Sequence, residues 1–78
     1  KNARHIVKVL FVFALLERQS MPVAEVAGYV DRVPGYRLMS ERFIGLAPGA
    51  LADWMLQDLE RGGAVKISGG VVRPAMPA

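Results

Sequence analysis

Apolar residues fill most positions of residues 3–18, the first segment of the chain. The segment continues through the good helix formers Ala14 and Leu15 and ends in the charged pair Glu17 and Arg18. Its length favours a helix over a strand, although the Val, Ile and Phe that it contains are also common in strands. Since the apolar positions cover almost the whole circumference of a helix, we expect it to be central or to contact something on both sides.

A second helix is predicted between Ser20 and Pro34. Ser20 is expected to cap its start, Pro22 is tolerated in a first turn, and Pro34 with Gly35 ends the helix. Its buried stripe is recognised by the i, i+3, i+4, i+7 spacing of four residues, which are Val23, Val26, Ala27 and Val30.

The next segment, residues 34–49, predicts only a short element. Ser40 is expected to cap a turn that holds Phe43 and Ile44, because glycine and proline at positions 45, 48 and 49 limit the segment on its far side. We therefore expect an irregular connection. Three arginines fall in it or beside it, namely Arg32, Arg37 and Arg42.

Residues 50–61 have the most regular amphipathic pattern in the chain and predict a further helix. Its inward positions are Leu51, Ala52, Met55, Leu56 and Leu59. Its outward positions are Asp53, Gln57, Glu60 and Arg61. Trp54 lies on the boundary between the two sides, and the glycine pair that follows at 62 and 63 can adopt the positive φ that ends many helices.

Residues 64–74 predict a β-hairpin, because the glycine pair at 69 and 70 is a favoured two-residue turn between short apolar strands. In the register that this turn sets, Ile67 faces Val72 on the inner side of the hairpin. Lys66 faces Arg73 on its outer side, so two positive charges are expected to lie directly opposite each other.

Composition and charge restrict the class of protein. The chain has 78 residues, of which 53 % are apolar, and no cysteine, so it holds at most one small domain without a disulfide framework or zinc finger. We place this domain at residues 1–74, with a flexible tail over 75–78. The large apolar fraction indicates a partner surface. The net charge of +3 comes from Lys1, Arg4 and Lys8, because the other seven basic side chains are balanced by seven acidic ones.

Other classes of protein lack their expected signals. The longest charge-free apolar stretch, residues 9–16, is far shorter than the ~20 residues of a membrane-spanning helix, so we expect no membrane contact and a cytoplasmic location. The chain begins without methionine, which is typical of a fragment or a processed chain. No phosphate-binding glycine loop or metal-ligand spacing occurs, and nothing activates His5, Ser20 or Ser40. We therefore predict no enzyme activity, metal or cofactor.

The predicted order is helix, helix, variable segment, helix and hairpin, and the last helix runs through two glycines into the hairpin. Leu56, Leu59, the Glu60-Arg61 pair and Gly62, followed by apolar strands over 65–72, carry this transition. In this respect the chain resembles the winged-helix domain, a variant of the helix-turn-helix fold, and is similar to small C-terminal winged helices such as that of the DprA family of DNA-uptake proteins. The resemblance implies a mainly α fold with three helices and a small β-hairpin, the wing.

The same resemblance implies a non-enzymatic role in binding duplex DNA and in transcription regulation. In this family the third helix usually enters the major groove, and the wing contacts an adjacent groove or the backbone. Like charges across a strand pair destabilise it, so either an anionic ligand explains Lys66 opposite Arg73 or both side chains turn outward into water. The candidate DNA contacts are Lys66, Arg73, Arg37 and Arg42 to phosphates, Gln57 and Arg61 to bases, and Arg4 and Lys8 in a basic N-terminal arm.

Acidic residues oppose base readout by the helix over 50–61. Asp53, Asp58 and Glu60 outnumber the single Arg61 on its outward face, whereas helices in the major groove usually bring Arg, Lys, Asn or Gln. Binding is therefore expected to be directed mainly at phosphates and to be sensitive to salt.

Protein–protein contact is the alternative function. The apolar first helix and the Trp54 face would then mediate a homodimer or docking onto the rest of a larger protein. The candidate interface residues are Trp54, Phe11 and Phe13, although Trp54 could instead close the rim of the core.

Overall fold

The computed structural model of the chain describes residues 2–75. Within them the protein is mainly helical, with four α-helices, one π-helical turn and a small three-stranded antiparallel sheet. Lys1 and residues 76–78 of the predicted tail lie outside the described residues. Ala75, which the sequence assigns to that tail, donates its backbone N–H to the carbonyl of Ala64 at 3.0 Å and so continues the hairpin pairing.

Helix α1 spans Asn2–Arg18 and confirms the helix predicted over residues 3–18. Its buried side is formed by residues four apart, which are Ala3, Val7, Phe11 and Leu15. The opposite side is also apolar but faces solvent. Within the described residues, α1 therefore contacts the rest of the protein on one side; it is not central, and its second apolar side is open to a contact outside this fold.

Helix α2 spans Val23–Arg32, and its predicted stripe is buried or half-buried. The cap predicted for Ser20 is wrong, because the helix begins after Pro22 and no side chain caps it. Ser20 instead precedes a two-residue strand, β1 (Met21–Pro22), which pairs antiparallel with the second strand of the hairpin. No local signal predicts β1, since it forms only where a distant part of the chain offers a partner.

The segment expected to be irregular is mostly helical. Helix α3 spans Pro34–Met39 and continues into a π-helical turn over Ser40–Ile44. The turn ends at Gly45, which has a φ of 83°, in the left-handed region that favours glycine. Gly45 therefore ends this segment, as predicted, but the segment is continuously helical and not irregular.

Two buried side chains attach this helical stretch to the rest of the fold. Tyr36 lies edge-on to the ring of Tyr29, with 5.6 Å between the ring centroids, and burial raises the pKa of its phenol. Ser40 is buried and donates a hydrogen bond from its hydroxyl to the carbonyl of Leu46. The cap predicted for Ser40 is therefore wrong, because its hydroxyl binds the chain beyond the turn and not the start of a helix.

Helix α4 spans Pro48–Arg61, slightly longer than the predicted 50–61, and leads directly into the hairpin. Strands β2 (Val65–Ser68) and β3 (Val71–Pro74) pair antiparallel in the predicted register. The turn glycines at 69 and 70 have φ values of 59° and 74°, as a two-residue hairpin turn requires. Because β3 also pairs with β1, it is the central strand in the order β1-β3-β2.

One hydrophobic core joins the helices to the sheet. Its fully buried side chains include Val7, Phe11, Leu15, Met21, Val26, Val30, Tyr36, Leu51, Met55 and Val72. The most extensive packing between helices is that of α2 on α4. This arrangement places the hairpin beside the end of α4 and leaves the outer side of α1 uncovered.

Candidate functional site

The hairpin presents two positive charges side by side. Lys66 and Arg73 are directly opposite each other in the strand pairing, and both are exposed, as the sequence predicts. In the part of the chain that the structure describes, neither makes an ion pair with a carboxylate. Their charges are therefore available to an anionic ligand.

The outward side of α4 is acidic. Asp53, Gln57 and Glu60 are exposed at the spacing of one helix face. Gln57 is the neutral member of this stripe, so two carboxylates flank the one side chain that is suited to contact a base. This geometry agrees with the expectation that α4 is poorly suited to base readout.

Asp58 is the third acidic residue of α4, and it is neutralised within the fold. Its carboxylate accepts a hydrogen bond from Lys8 Nζ at 2.5 Å, and Arg61 lies 3.7 Å from its other oxygen. The hydrogen bond from Lys8 holds the pKa of Asp58 below its usual value. Lys8 and Arg61, which the sequence offers as DNA contacts, are thus ion-paired to the protein itself.

Arg4 is also drawn toward α4. Its guanidinium carbon lies 5.0 Å from the centroid of the Trp54 ring, and Lys8 Nζ lies 5.7 Å from the same centroid. Both distances fit cation–π contacts. The predicted basic arm therefore acts within the described structure as a link between α1 and α4, and the half-buried Trp54 is covered by two cations where the sequence predicts an interface residue.

The two arginines of the predicted loop, Arg37 and Arg42, have different surroundings in the structure. Arg37 makes an ion pair with Glu41 one turn away, at 3.2 Å between Nε and Oε2, and both side chains are exposed. Arg42 is exposed and has no ion pair within residues 2–75. It belongs to the π-helical turn, which packs mainly on α1 and α3. Of the cations predicted to contact DNA, Lys66, Arg73 and Arg42 remain without an acidic partner among the described residues.

The outer side of α1 is a continuous apolar surface, hereafter the α1 face. Five side chains at three- and four-residue spacing form it, namely Ile6, Val9, Leu10, Phe13 and Leu16, which are between 38 % and 64 % exposed. Of these five residues, only Phe13 is predicted from the sequence as an interface residue, although the spacing of all five forms a second apolar stripe along the helix. Phe11 has no exposed surface, so its prediction as an interface residue is wrong: it belongs to the core.

Two grooves border the α1 face. One has a volume of about 340 Å³ and lies between α1, the end of α4 and the residue before β2; Val12, Leu59 and Ala64 line it together with Phe13. The other lies between α1 and the π-helical turn, where the 64 % exposed side chain of Phe43 adjoins Ile6. The α1 face is therefore an apolar ridge with an apolar groove on each side.

Neither a metal centre nor a membrane span is found in the described part of the chain. Residues 2–75 contain no group of three or more His, Asp or Glu side chains placed to hold a metal ion. In the same residues, none of the helices combines the length and the apolarity that crossing a bilayer requires. His5 is exposed on α1 and borders the groove beside Phe13.

Comparison with known proteins gives no significant match, so a function is inferred from the surfaces of the molecule itself. No family model matches the chain. No curated protein and no solved structure matches it significantly.

Proposed function

We propose that this chain is a winged-helix domain that binds the phosphate backbone of duplex DNA through its hairpin. The observation that carries the proposal is the exposed pair Lys66 and Arg73, directly opposite each other on β2 and β3. Two like charges at opposed positions destabilise a strand pair, and an anion bound between them removes this cost. The phosphates of DNA are anions with the spacing and the charge density to do so.

The order of the elements supports the winged-helix interpretation. An N-terminal helix packs below a group of helices, and a hairpin follows the last of them without a connecting domain. The long connection between α2 and α4, which departs from the family's usual short link, is filled by α3 and the π-helical turn. The central helices therefore stay packed together despite the longer link.

The proposed mode of binding is contact with the backbone and not readout of bases. Asp53 and Glu60 flank Gln57 on the outward side of α4 and would repel the phosphates that border a major groove. Arg42 is a further exposed cation, and because it has no acidic partner among residues 2–75 it can contact phosphates. The proposal does not rest on Arg4, Lys8, Arg37 or Arg61, because each already contacts a side chain of the protein.

The proposal is tested by fluorescence anisotropy with a mixed-sequence duplex between ~50 and ~200 mM salt. We expect weak binding with little sequence preference, which becomes weaker as salt rises. In the double variant Lys66→Ala with Arg73→Ala, the slope of log affinity against log salt should fall by about 2, because each phosphate contact contributes roughly 0.9 to it.

A matched variant controls for net charge. Arg32→Ala with Arg37→Ala removes the same two charges from exposed helical positions outside the hairpin. This control should bind DNA nearly as well as the original chain. Equal loss of binding in both double variants would show that the hairpin is not the site, and no binding at ~50 mM salt would refute the proposal.

The alternative function, protein–protein assembly, concerns a different surface. It is favoured by the α1 face, which shares no residue with the hairpin. The two functions are therefore compatible in one molecule, and each is tested separately.

A further inference from the structure

We infer that the α1 face is the contact surface of a homodimer, in which α1 packs antiparallel against α1 of a second copy. This inference stands on a surface separate from the hairpin, so it does not depend on DNA binding. It rests on the area of the face, on the distribution of charge along α1, and on the fit between the ridge and its groove.

The area of the face is close to what a specific dimer needs. A fully exposed large apolar side chain presents about 200 Å², so the five side chains of the α1 face together with Phe43 expose roughly 600 Å². A continuous apolar patch of this size on a monomer often has a function. Two copies joined through it bury roughly 1,200 Å² in total, which reaches the lower limit for a specific interface.

The charges of α1 permit two copies to meet. The five side chains of the α1 face are uncharged. Arg4 lies over Trp54 and Arg18 over Tyr29, while Lys8, which lines the groove beside the face together with His5, is neutralised by its ion pair with Asp58. Two copies can therefore approach without bringing buried like charges together.

Charge at the helix ends favours the antiparallel orientation. The first turns of α1 carry Arg4, His5 and Lys8 without an acid, whereas in its last turn Glu17 is balanced by Arg18. An antiparallel pair places each basic start beside the uncharged end of the other helix, where the helix dipole is negative, and a parallel pair would place the two basic starts together. The stripe spans Ile6 to Leu16, so its midpoint is level with residue 11.

In the antiparallel register, the apolar ridge of each copy also lies against the groove of the other copy. With the midpoint at residue 11, Ile6 faces Leu16 of the second copy, and Val9 faces Phe13 of the second copy. Val9 borders the 340 Å³ groove, whose other walls include Val12 and Leu59. The exposed ring of Phe13 from each copy thus enters the groove of the other, as an isologous interface requires.

Sedimentation equilibrium tests the dimer over a range of protein concentrations up to ~1 mM. The average mass should rise from 8.5 kDa to about twice that value. Phe13→Asp should raise the dissociation constant at least ~100-fold, since it places a charge at the centre of the contact. Far-UV circular dichroism should show an unchanged fold, because Phe13 is 64 % exposed.

Leu38→Asp is the matched control. Leu38 is 55 % exposed on α3 and lines neither of the two grooves beside α1, so this variant should dimerise like the original chain. Equal effects of Phe13→Asp and Leu38→Asp would overturn the assignment of the face. A mass that stays at 8.5 kDa at every concentration would overturn the dimer, and the face would then belong to a contact with a different protein.

Disulfide trapping tests the orientation of the two helices. Because the chain has no native cysteine, only the introduced cysteines can form disulfides. An equimolar mixture of Ile6→Cys and Leu16→Cys chains, oxidised slowly, should yield mainly the mixed disulfide. Predominance of Ile6→Cys homodimers would show a parallel arrangement and overturn the register.

Discussion

The most direct test of the packing of α1 compares two phenylalanines that are two residues apart. Phe11 is fully buried, with its ring edge-on to Tyr29 at 6.3 Å between centroids, whereas Phe13 is 64 % exposed. A buried phenyl ring removes about 150–200 Å² from water, worth ~4–5 kcal/mol at ~25 cal/mol per Å². We therefore expect Phe11→Ala to lower the free energy of unfolding by about 3–5 kcal/mol, the usual cost of such a cavity.

Phe13→Ala should cost much less. It removes only about a third as much buried surface, and alanine is the better helix former, so the expected loss is about 1 kcal/mol or less. Urea unfolding, followed by Trp54 fluorescence and far-UV circular dichroism, measures both variants. The protein is kept at ~1 µM so that association does not add to the stability of the original chain.

The comparison stays informative if Phe11→Ala does not fold. A small domain has only about 5–15 kcal/mol of stability to lose, so Phe11→Leu, with an expected loss of about 1–2 kcal/mol, provides a folded second variant. Equal losses for Phe11→Ala and Phe13→Ala, or an unchanged midpoint for both Phe11 variants, would refute the assignment of Phe11 to the core and Phe13 to the surface.

Two further predictions concern local features. The hydrogen bond from Lys8 lowers the pKa of Asp58 below 3.8, so the ionised carboxylate stabilises the fold at neutral pH, and this contribution is lost as the pH falls through the lowered pKa. Asp58→Asn should therefore have a lower urea midpoint than the original chain at pH 7, and this difference in midpoint should disappear in acid. Asp53→Asn is the control, because Asp53 is exposed and has no ion pair among the described residues. A difference in midpoint that does not change with pH would contradict the ion pair between Lys8 and Asp58. Gly70→Ala should cost about 1 kcal/mol in thermal unfolding because residue 70 has a φ of 74°. Gly49→Ala, in the first turn of α4 with open space at its Cβ position, should be neutral or stabilising, and the opposite ranking of these two variants would contradict the hairpin turn.

Local signals in the sequence were sufficient for α1, for α4 and for the hairpin with its register. Each depends on interactions between residues close in the chain: long apolar runs, the spacing of the inward residues of α4, and a glycine pair able to adopt positive φ. The opposition of Lys66 and Arg73 follows from the length of that turn alone. The part of the candidate site that lies on the hairpin could therefore be predicted from the sequence.

Tertiary contacts decided the rest of the fold. The proline and glycine at 34 and 35 indicate a break, and α3 nevertheless forms there because Tyr36 is buried against Tyr29. Strand β1 has only two residues and exists because β3 pairs with it. Strand β1 depends on a partner distant in sequence and α3 on packing against the helix before it, so no periodicity of their own predicts them.

The candidate sites show the same division. The sequence by itself determined that α1 is apolar on both sides, that the hairpin carries two opposed positive charges, and that the net charge is concentrated at the N-terminal end. Only the tertiary structure decided which side of α1 is core, and so placed Phe11 inside and Phe13 outside. It also decided that Lys8 is bound to Asp58, 50 residues away. The physical reason is that burial and ion pairing depend on which surfaces meet, whereas periodicity and turn chemistry are properties of neighbouring residues.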